Sequence, residues 1–162
     1  MANHFSQLAK KSRTNGSSEK IAKEQTGKPS LDIYKLGDDV LRQNSKRITK
    51  VDESIRKLAR EMLQSMYAAK GIGLAAPQIG INKELLVIDV NFEDSAAEPL
   101  ILINPEITDF GTTLNSYEEG CLSIPGVYLN VVRPSTIKLK FRDEMGRPRK
   151  MKADGLLARC IQ

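Results

Sequence analysis

The sequence contains little histidine and cysteine, two of the residue types that bind metal ions in proteins. Its 162 residues include one histidine, two cysteines and no tryptophan, and aromatic residues make up 5% of the chain. Hydrolytic zinc sites need three protein ligands and an open position for water. The single histidine, His4, lies in a polar N-terminal region and cannot serve such a site. Aspartate and glutamate side chains remain available as ligands.

Long hydrophobic runs are also missing. No run approaches the roughly 18 apolar residues that span a bilayer, and no apolar segment of a secretory signal follows Met1. Without such a signal, we expect Cys121 and Cys160 to be free thiols rather than a disulfide. These features predict a cytoplasmic protein, with organelle targeting by the N-terminal tail as the alternative.

Positive charge is concentrated at the N-terminus. Residues 1–30 hold six Lys or Arg and two Glu, so they carry four of the five net positive charges. We predict that residues 1–30 form a disordered basic tail and that residues 31–162 form one domain. A transit peptide or a weak electrostatic tether to RNA are alternatives for the tail.

The spacing of apolar residues predicts a helix over residues 53–70. Asp52 suits its N-cap and Gly71 the position just after its end. Residues 31–50, which precede it, are predicted to be extended chain and turns. The residues of its apolar face are Ile55, Leu58, Ala59, Met62 and Met66.

Short strands predominate after this helix. The sequence predicts strands at residues 84–90, 100–103 and 135–141. Asn104-Pro105 is expected to end the second, and residues 150–152 to pair back with the third. A final helix is predicted after Asp154, with an apolar stripe of Leu156, Leu157, Cys160 and Ile161. Because strands and helices do not alternate regularly, the pattern predicts an α+β fold.

Two motifs carry candidate chemistry. Gly71-Ile72-Gly73-Leu74-Ala75-Ala76-Pro77-Gln78 follows a helix, whereas a dinucleotide-binding glycine loop follows a strand, so that function is disfavoured. Either it is a helix end and turn, or its glycines admit a ligand to which Gln78 donates hydrogen bonds. In Glu119-Gly120-Cys121-Leu122-Ser123, Cys121 is either a small buried residue or a metal ligand. Joint ligation by Cys121 and Cys160 is a further alternative.

The two motifs occur in this order, and Glu119 follows Gln78 by 41 positions. Together they resemble two of the three motifs of peptide deformylases. The similarity runs from about Leu31 to Gln162. It implies an α+β, deformylase-like fold with short antiparallel and mixed strands around a long N-terminal helix and an incomplete C-terminal helix. It also implies metal-dependent hydrolysis of the N-formyl group from the N-terminal formyl-methionine of nascent proteins.

The resemblance also implies roles for individual residues. Cys121 would be the thiolate ligand of Fe²⁺ (or Zn²⁺), and the Gln78 side chain and the Leu122 N–H would hold the formyl oxygen. Glu119 would support the Cys121 loop with Arg133 as its ion-pair partner, ordinary surface charges being the alternative. The implied substrate-binding residues, with Leu122 at the edge of the methionine pocket, are Ile72, Gly73 and Cys160.

The third family motif, H-E-x-x-D-H, would begin at residue 163, whereas the sequence ends at Gln162. Two histidine ligands and the general-base glutamate are therefore absent from this chain, and we expect it to be inactive and to bind metal weakly. One alternative is a non-catalytic, degenerate deformylase fold that binds formyl-methionyl peptides or the ribosome. Another is an unrelated α+β domain. No membrane or specific nucleic-acid partner is expected.

Overall fold

The structure, a computed structural model, describes residues 30–162, so nearly all of the predicted tail lies outside the described residues. Two short 3-10 turns, at Asp39–Arg42 and Ala76–Ile79, accompany the helices and strands. These are α1 (Glu53–Ala68), β1 (Gly73–Ala75), β2 (Leu85–Ile88), β3 (Leu100–Phe110), β4 (Leu114–Cys121), β5 (Ile124–Pro134), β6 (Thr136–Arg142), β7 (Pro148–Asp154) and α2 (Gly155–Ile161).

The strands form two antiparallel sheets. One has five strands in the order β1-β2-β3-β6-β7, and the other is the β4–β5 hairpin. The α+β prediction is confirmed, and the only parallel contact in residues 30–162 is an isolated bridge between Lys46 and Lys83. Within the same residues, no helix has the length and apolar character required to cross a bilayer.

The five-stranded sheet separates two apolar clusters. Successive side chains of a strand point to opposite faces. Leu85 and Val87 of β2 therefore join the cluster packed against α1, whereas Leu86 and Ile88 join the cluster packed against α2. Each face of the sheet is therefore covered by one helix.

Helix α1 confirms the prediction at its start and differs slightly at its end. The Asp52 carboxylate accepts hydrogen bonds from the N–H groups of Ser54 and Ile55, as an N-cap should. The helix ends at Ala68, and the residue with left-handed backbone is Lys70, with φ of 57°. Gly71 was expected there. Its own N–H instead bonds to the Met66 carbonyl and closes the helix end.

Strand β3 contradicts the prediction that Asn104-Pro105 ends it. The strand continues to Phe110 because the pairing with β6 shifts register between Ile103 and Glu106, which accommodates a proline without a donor. Asn104 adopts φ of 51°. Its buried side-chain amide accepts from the Ile48 N–H at 2.8 Å and donates to the Ile48 carbonyl at 2.9 Å.

The C-terminal helix differs from the predicted stripe. Asp154 occupies the N-cap position of α2, but its side chain makes no capping hydrogen bond. Leu156 is 40% exposed, whereas Leu157, Ala158 and Arg159 are buried. The buried face of α2 is therefore rotated relative to the predicted stripe and packs against β6 and β7. Arg159 is one of its buried residues.

We predict that Asn104→Ala destabilises the fold by about 3 kcal/mol, because two buried hydrogen bonds are lost at a left-handed backbone position. Urea unfolding followed by circular dichroism measures this change. Asn130→Ala, at an exposed position of β5, is the control and should change stability by less than about 0.5 kcal/mol. Equal losses in the two variants would contradict a structural role for the Asn104 amide.

Candidate active site

Gln78 is held in one orientation by the turn that contains it. Its side-chain Oε1 accepts a hydrogen bond from the Ala75 N–H at 2.9 Å. This contact assigns the oxygen and leaves the amide nitrogen as a donor. Nε2 lies 3.1 Å from Ser123 Oγ and 3.7 Å from Cys121 Sγ. The two motifs found in the sequence therefore meet at this amide.

Cys121 ends β4 and is followed by a two-residue turn. Cys121 pairs with Ile124 across the turn formed by Leu122 and Ser123. The Cys121 thiol is exposed and free, while Ser123 is buried and Leu122 packs against the α1 cluster. Ser123 and Leu122 thus hold the turn against the protein, while the Cys121 sulfur is exposed.

Gly71 and Gly73 allow two other segments to approach closely. A Cβ at Gly71 would lie 2.6 Å from Cδ1 of Leu122, and a Cβ at Gly73 would overlap Sγ of Cys160. Real Cβ atoms do not make such contacts, so a side chain at either glycine would require the Leu122 or Cys160 side chain to shift. The backbone around Ile72 therefore lies between the Cys121 turn and helix α2.

Cys160 faces this backbone rather than a metal site. Its thiol lies 3.9 Å from the Ile72 carbonyl, which it can reach as a donor. Burial raises the pKa of the Cys160 thiol to about 11, and the negative charge of Glu119 adds to the effect. The thiol is therefore protonated at neutral pH. Both cysteines are free, which confirms the prediction.

Glu119 binds two arginines. Its carboxylate receives Arg133 Nε at 2.8 Å and Nη2 at 2.9 Å, and Arg159 Nη1 at 2.6 Å. Arg133 first, and Arg159 after it, hold the pKa of Glu119 below its usual value. The ion pair expected from the motif is present, and a second arginine joins it from α2.

Arg159 was missed by the sequence analysis. Its side chain is 8% exposed and also donates to the carbonyl groups of Val131 at 2.9 Å and Asn115 at 2.8 Å. Its guanidinium lies 5.6 Å from the centre of the Tyr117 ring. The only signal in the sequence was a charged residue inside an apolar stripe, between Leu157 and Cys160. That signal does not identify a partner.

The residues that the structure describes do not by themselves fit a catalytic metal. Within residues 30–162, no group of three or more His, Cys, Asp or Glu side chains converges on a point that could hold an ion. Cys121 is the single candidate ligand beside Gln78, and one thiolate binds a metal weakly because affinity comes from several fixed ligands. The Gln78 amide, in contrast, already lies beside Cys121 and Ser123.

Comparison with known proteins gives a consistent result. The model of the polypeptide deformylase family matches residues 30–162. A peptide deformylase of Prochlorococcus marinus (strain AS9601) is 98% identical over all of this chain and 81% of its own length. A homologue of strain MIT 9313, peptide deformylase 2, is 63% identical over the same shares.

Solved structures share both fold and sequence. A crystal structure of a Synechococcus elongatus peptide deformylase in complex with actinonin superimposes with a TM-score of 0.87 at 55% identity, covering 90% of this chain and 79% of that one. The Thermotoga maritima peptide deformylase has a TM-score of 0.76 at 37% identity, with 82% and 86% covered. The chain therefore belongs to the polypeptide deformylase family, the metal-dependent hydrolases that remove the N-formyl group from the formyl-methionine of nascent polypeptides.

Proposed function

We propose that Gln78, Cys121 and Leu122 form the formyl-binding end of the deformylase site. The observation that carries this proposal is the Gln78 amide nitrogen 3.7 Å from the Cys121 sulfur. Gln78 Nε2 and the Leu122 backbone N–H donate to the formyl oxygen, and Cys121 is one ligand of the metal. Fe²⁺ (or Zn²⁺) suits a site with a thiolate. Its further ligands have to come from outside residues 30–162.

The donors contribute to catalysis because they are oriented before substrate binds. Charge develops on the formyl oxygen as the carbonyl carbon becomes tetrahedral, and a fixed donor stabilises that charge without reorganising. The Ala75 N–H fixes the Gln78 side chain in this way. Loss of one such donor raises a barrier by about 3 kcal/mol in comparable sites.

The peptide part of the substrate lies along β1. This strand forms one edge of the five-stranded sheet, so its second side is open to an extended peptide, which can bond to the Gly73 backbone. Ile72, Leu122 and Cys160 border the methionine side chain. The proximity of Gly71 to Leu122 and of Gly73 to Cys160 supports this placement. Ribosome binding and a cytoplasmic location stay predictions.

We predict that Gln78→Glu weakens binding of formyl-Met-Ala-Ser by about tenfold, because a donor is replaced by a charged acceptor facing the formyl oxygen. Isothermal titration with wild type and variant measures the dissociation constants. Gln64→Glu, an exposed glutamine of α1, makes the same chemical change away from the site and should leave binding unaltered. Unchanged affinity in Gln78→Glu would remove Gln78 from the formyl-binding role.

We predict that the 162-residue chain binds well under one equivalent of Zn²⁺ or Fe²⁺ at micromolar concentrations, and that Cys121→Ala abolishes the residual binding. Metal analysis after gel filtration measures the stoichiometry. Cys160→Ala is the matched control and should change nothing, since a pKa of about 11 keeps that thiol protonated. One tightly bound equivalent that survives Cys121→Ala would refute the assignment of Cys121 as a ligand.

We further propose that Glu119 supports the Cys121 loop through its two arginines. Glu119→Gln should destabilise the fold by about 3 kcal/mol at pH 7, because the buried Arg159 loses its charge partner. The lowered pKa of Glu119 means that this stabilisation is present above the ordinary glutamate value of 4.5. It is lost as the pH falls through the lower, folded value.

Urea unfolding of wild type and Glu119→Gln between pH 7 and acid pH tests this dependence. The two curves should converge at acid pH, where the wild-type carboxyl becomes protonated. Glu118→Gln, at the exposed neighbouring position, should match wild type throughout. A constant gap between wild type and Glu119→Gln over the whole range would contradict the proposed ion-pair support.

A further inference from the structure

A short segment, residues 34–36, forms hydrogen bonds to both motifs of the site, and we call it the strap. The Tyr34 N–H donates to the Gln78 carbonyl at 2.8 Å, and the Leu36 N–H donates to the Ser123 carbonyl at 2.8 Å. Gln78 and Ser123 lie in segments that are distant along the chain. The strap therefore joins the turn carrying the amide donor to the turn that follows Cys121.

Lys35, between these two residues, makes the third contact. Its ammonium donates to the Leu122 carbonyl at 2.9 Å, across 87 positions of sequence. Its own N–H donates to the Asp38 carboxylate at 2.7 Å, which fixes the start of the next turn. An exposed lysine is ordinarily solvated and loses side-chain entropy when it is held. Here the ammonium is aimed at the carbonyl group of a residue proposed to donate to the formyl oxygen.

We propose that the strap sets the separation of the two formyl-oxygen donors and that Lys35 is the positioning residue for Leu122. Donor positions in a site must hold to within about 0.5 Å to be effective. The amide of Gln78 and the N–H of Leu122 belong to two different turns, and the strap bonds to the backbone of both. This inference rests on the proposed function, since it concerns the same donors.

The Lys35 contact acts on the turn and not on the thiol itself. The Leu122 carbonyl is held by a charged donor on one side, while the Leu122 side chain is pressed against Gly71 on the other. These two contacts restrain the residue from opposite ends. Loss of the ammonium removes the restraint on the Leu122 carbonyl, so the turn gains freedom at that residue while the core stays intact.

The test compares the full chain with Lys35→Met, Lys35→Arg and Lys46→Met by amide hydrogen exchange and by peptide titration. Lys46→Met is the matched control, because it removes the same charge from an exposed lysine whose contacts to Asn82 and Glu84 use the main chain. In Lys35→Met, we expect the Leu36 N–H to exchange about fivefold faster while amides of α1 keep their rates.

The titration measures the preference for formyl-Met-Ala-Ser over Met-Ala-Ser. Lys35→Met should reduce this preference about fivefold, Lys35→Arg should retain most of it, and Lys46→Met should equal wild type. A purely structural role would change exchange throughout the chain and leave the preference between peptides unchanged. Faster exchange at Leu36 without a change in preference, or no change at Leu36, overturns the proposal.

The two proposals fail in distinguishable ways. A wild-type chain that shows no preference for the formyl group refutes the proposed function of Gln78 and Leu122, and with it the positioning role. A wild-type preference that Lys35→Met leaves intact refutes the positioning role alone.

Discussion

The absence of side chains at Gly71 and Gly73 determines how closely the parts of this site approach one another. Any Cβ at these positions would overlap Leu122 or Cys160. Overpacking a well-packed site costs about 1–3 kcal/mol or forces backbone shifts. The end of α1, strand β1, the Cys121 turn and helix α2 meet at two residues that contribute backbone alone, and a Cβ at either one would displace the Leu122 or Cys160 side chain. The rest of the candidate site is arranged around this contact.

Ion pairs connect α2 to the β4–β5 hairpin in the same site. Arg159 of α2 and Arg133 of β5 share the Glu119 carboxylate, and Arg159 also bonds to backbone carbonyls of the β4–β5 hairpin. A buried charge is costly unless it is paired and hydrogen-bonded, and Arg159 has both a carboxylate partner and carbonyl acceptors. The Arg159–Glu119 contact joins α2 to β4, the strand that carries Cys121.

The site consists of two parts that differ in completeness within residues 30–162. The groups that we propose to bind a formyl-methionyl peptide are the Gln78 amide, which a hydrogen bond holds, the N–H of the turn after Cys121, and the edge strand β1. The groups that would hold a metal amount to one exposed thiol. The two proposed functions of the site, peptide recognition and metal binding, can therefore be tested separately, because we assign them to different residues.

The sequence by itself determined helix α1, the α+β class and the two motifs, because periodicity and short motifs are local properties of a chain. It predicted the Glu119–Arg133 pair only through resemblance. Tertiary structure decided that β3 passes through Asn104-Pro105, that Arg159 is buried, and that the β4–β5 hairpin forms from mostly exposed residues without a clear apolar alternation. It also decided the Lys35–Leu122 contact. Each of these depends on groups far apart in sequence, and no local pattern encodes which distant backbone group a side chain will reach.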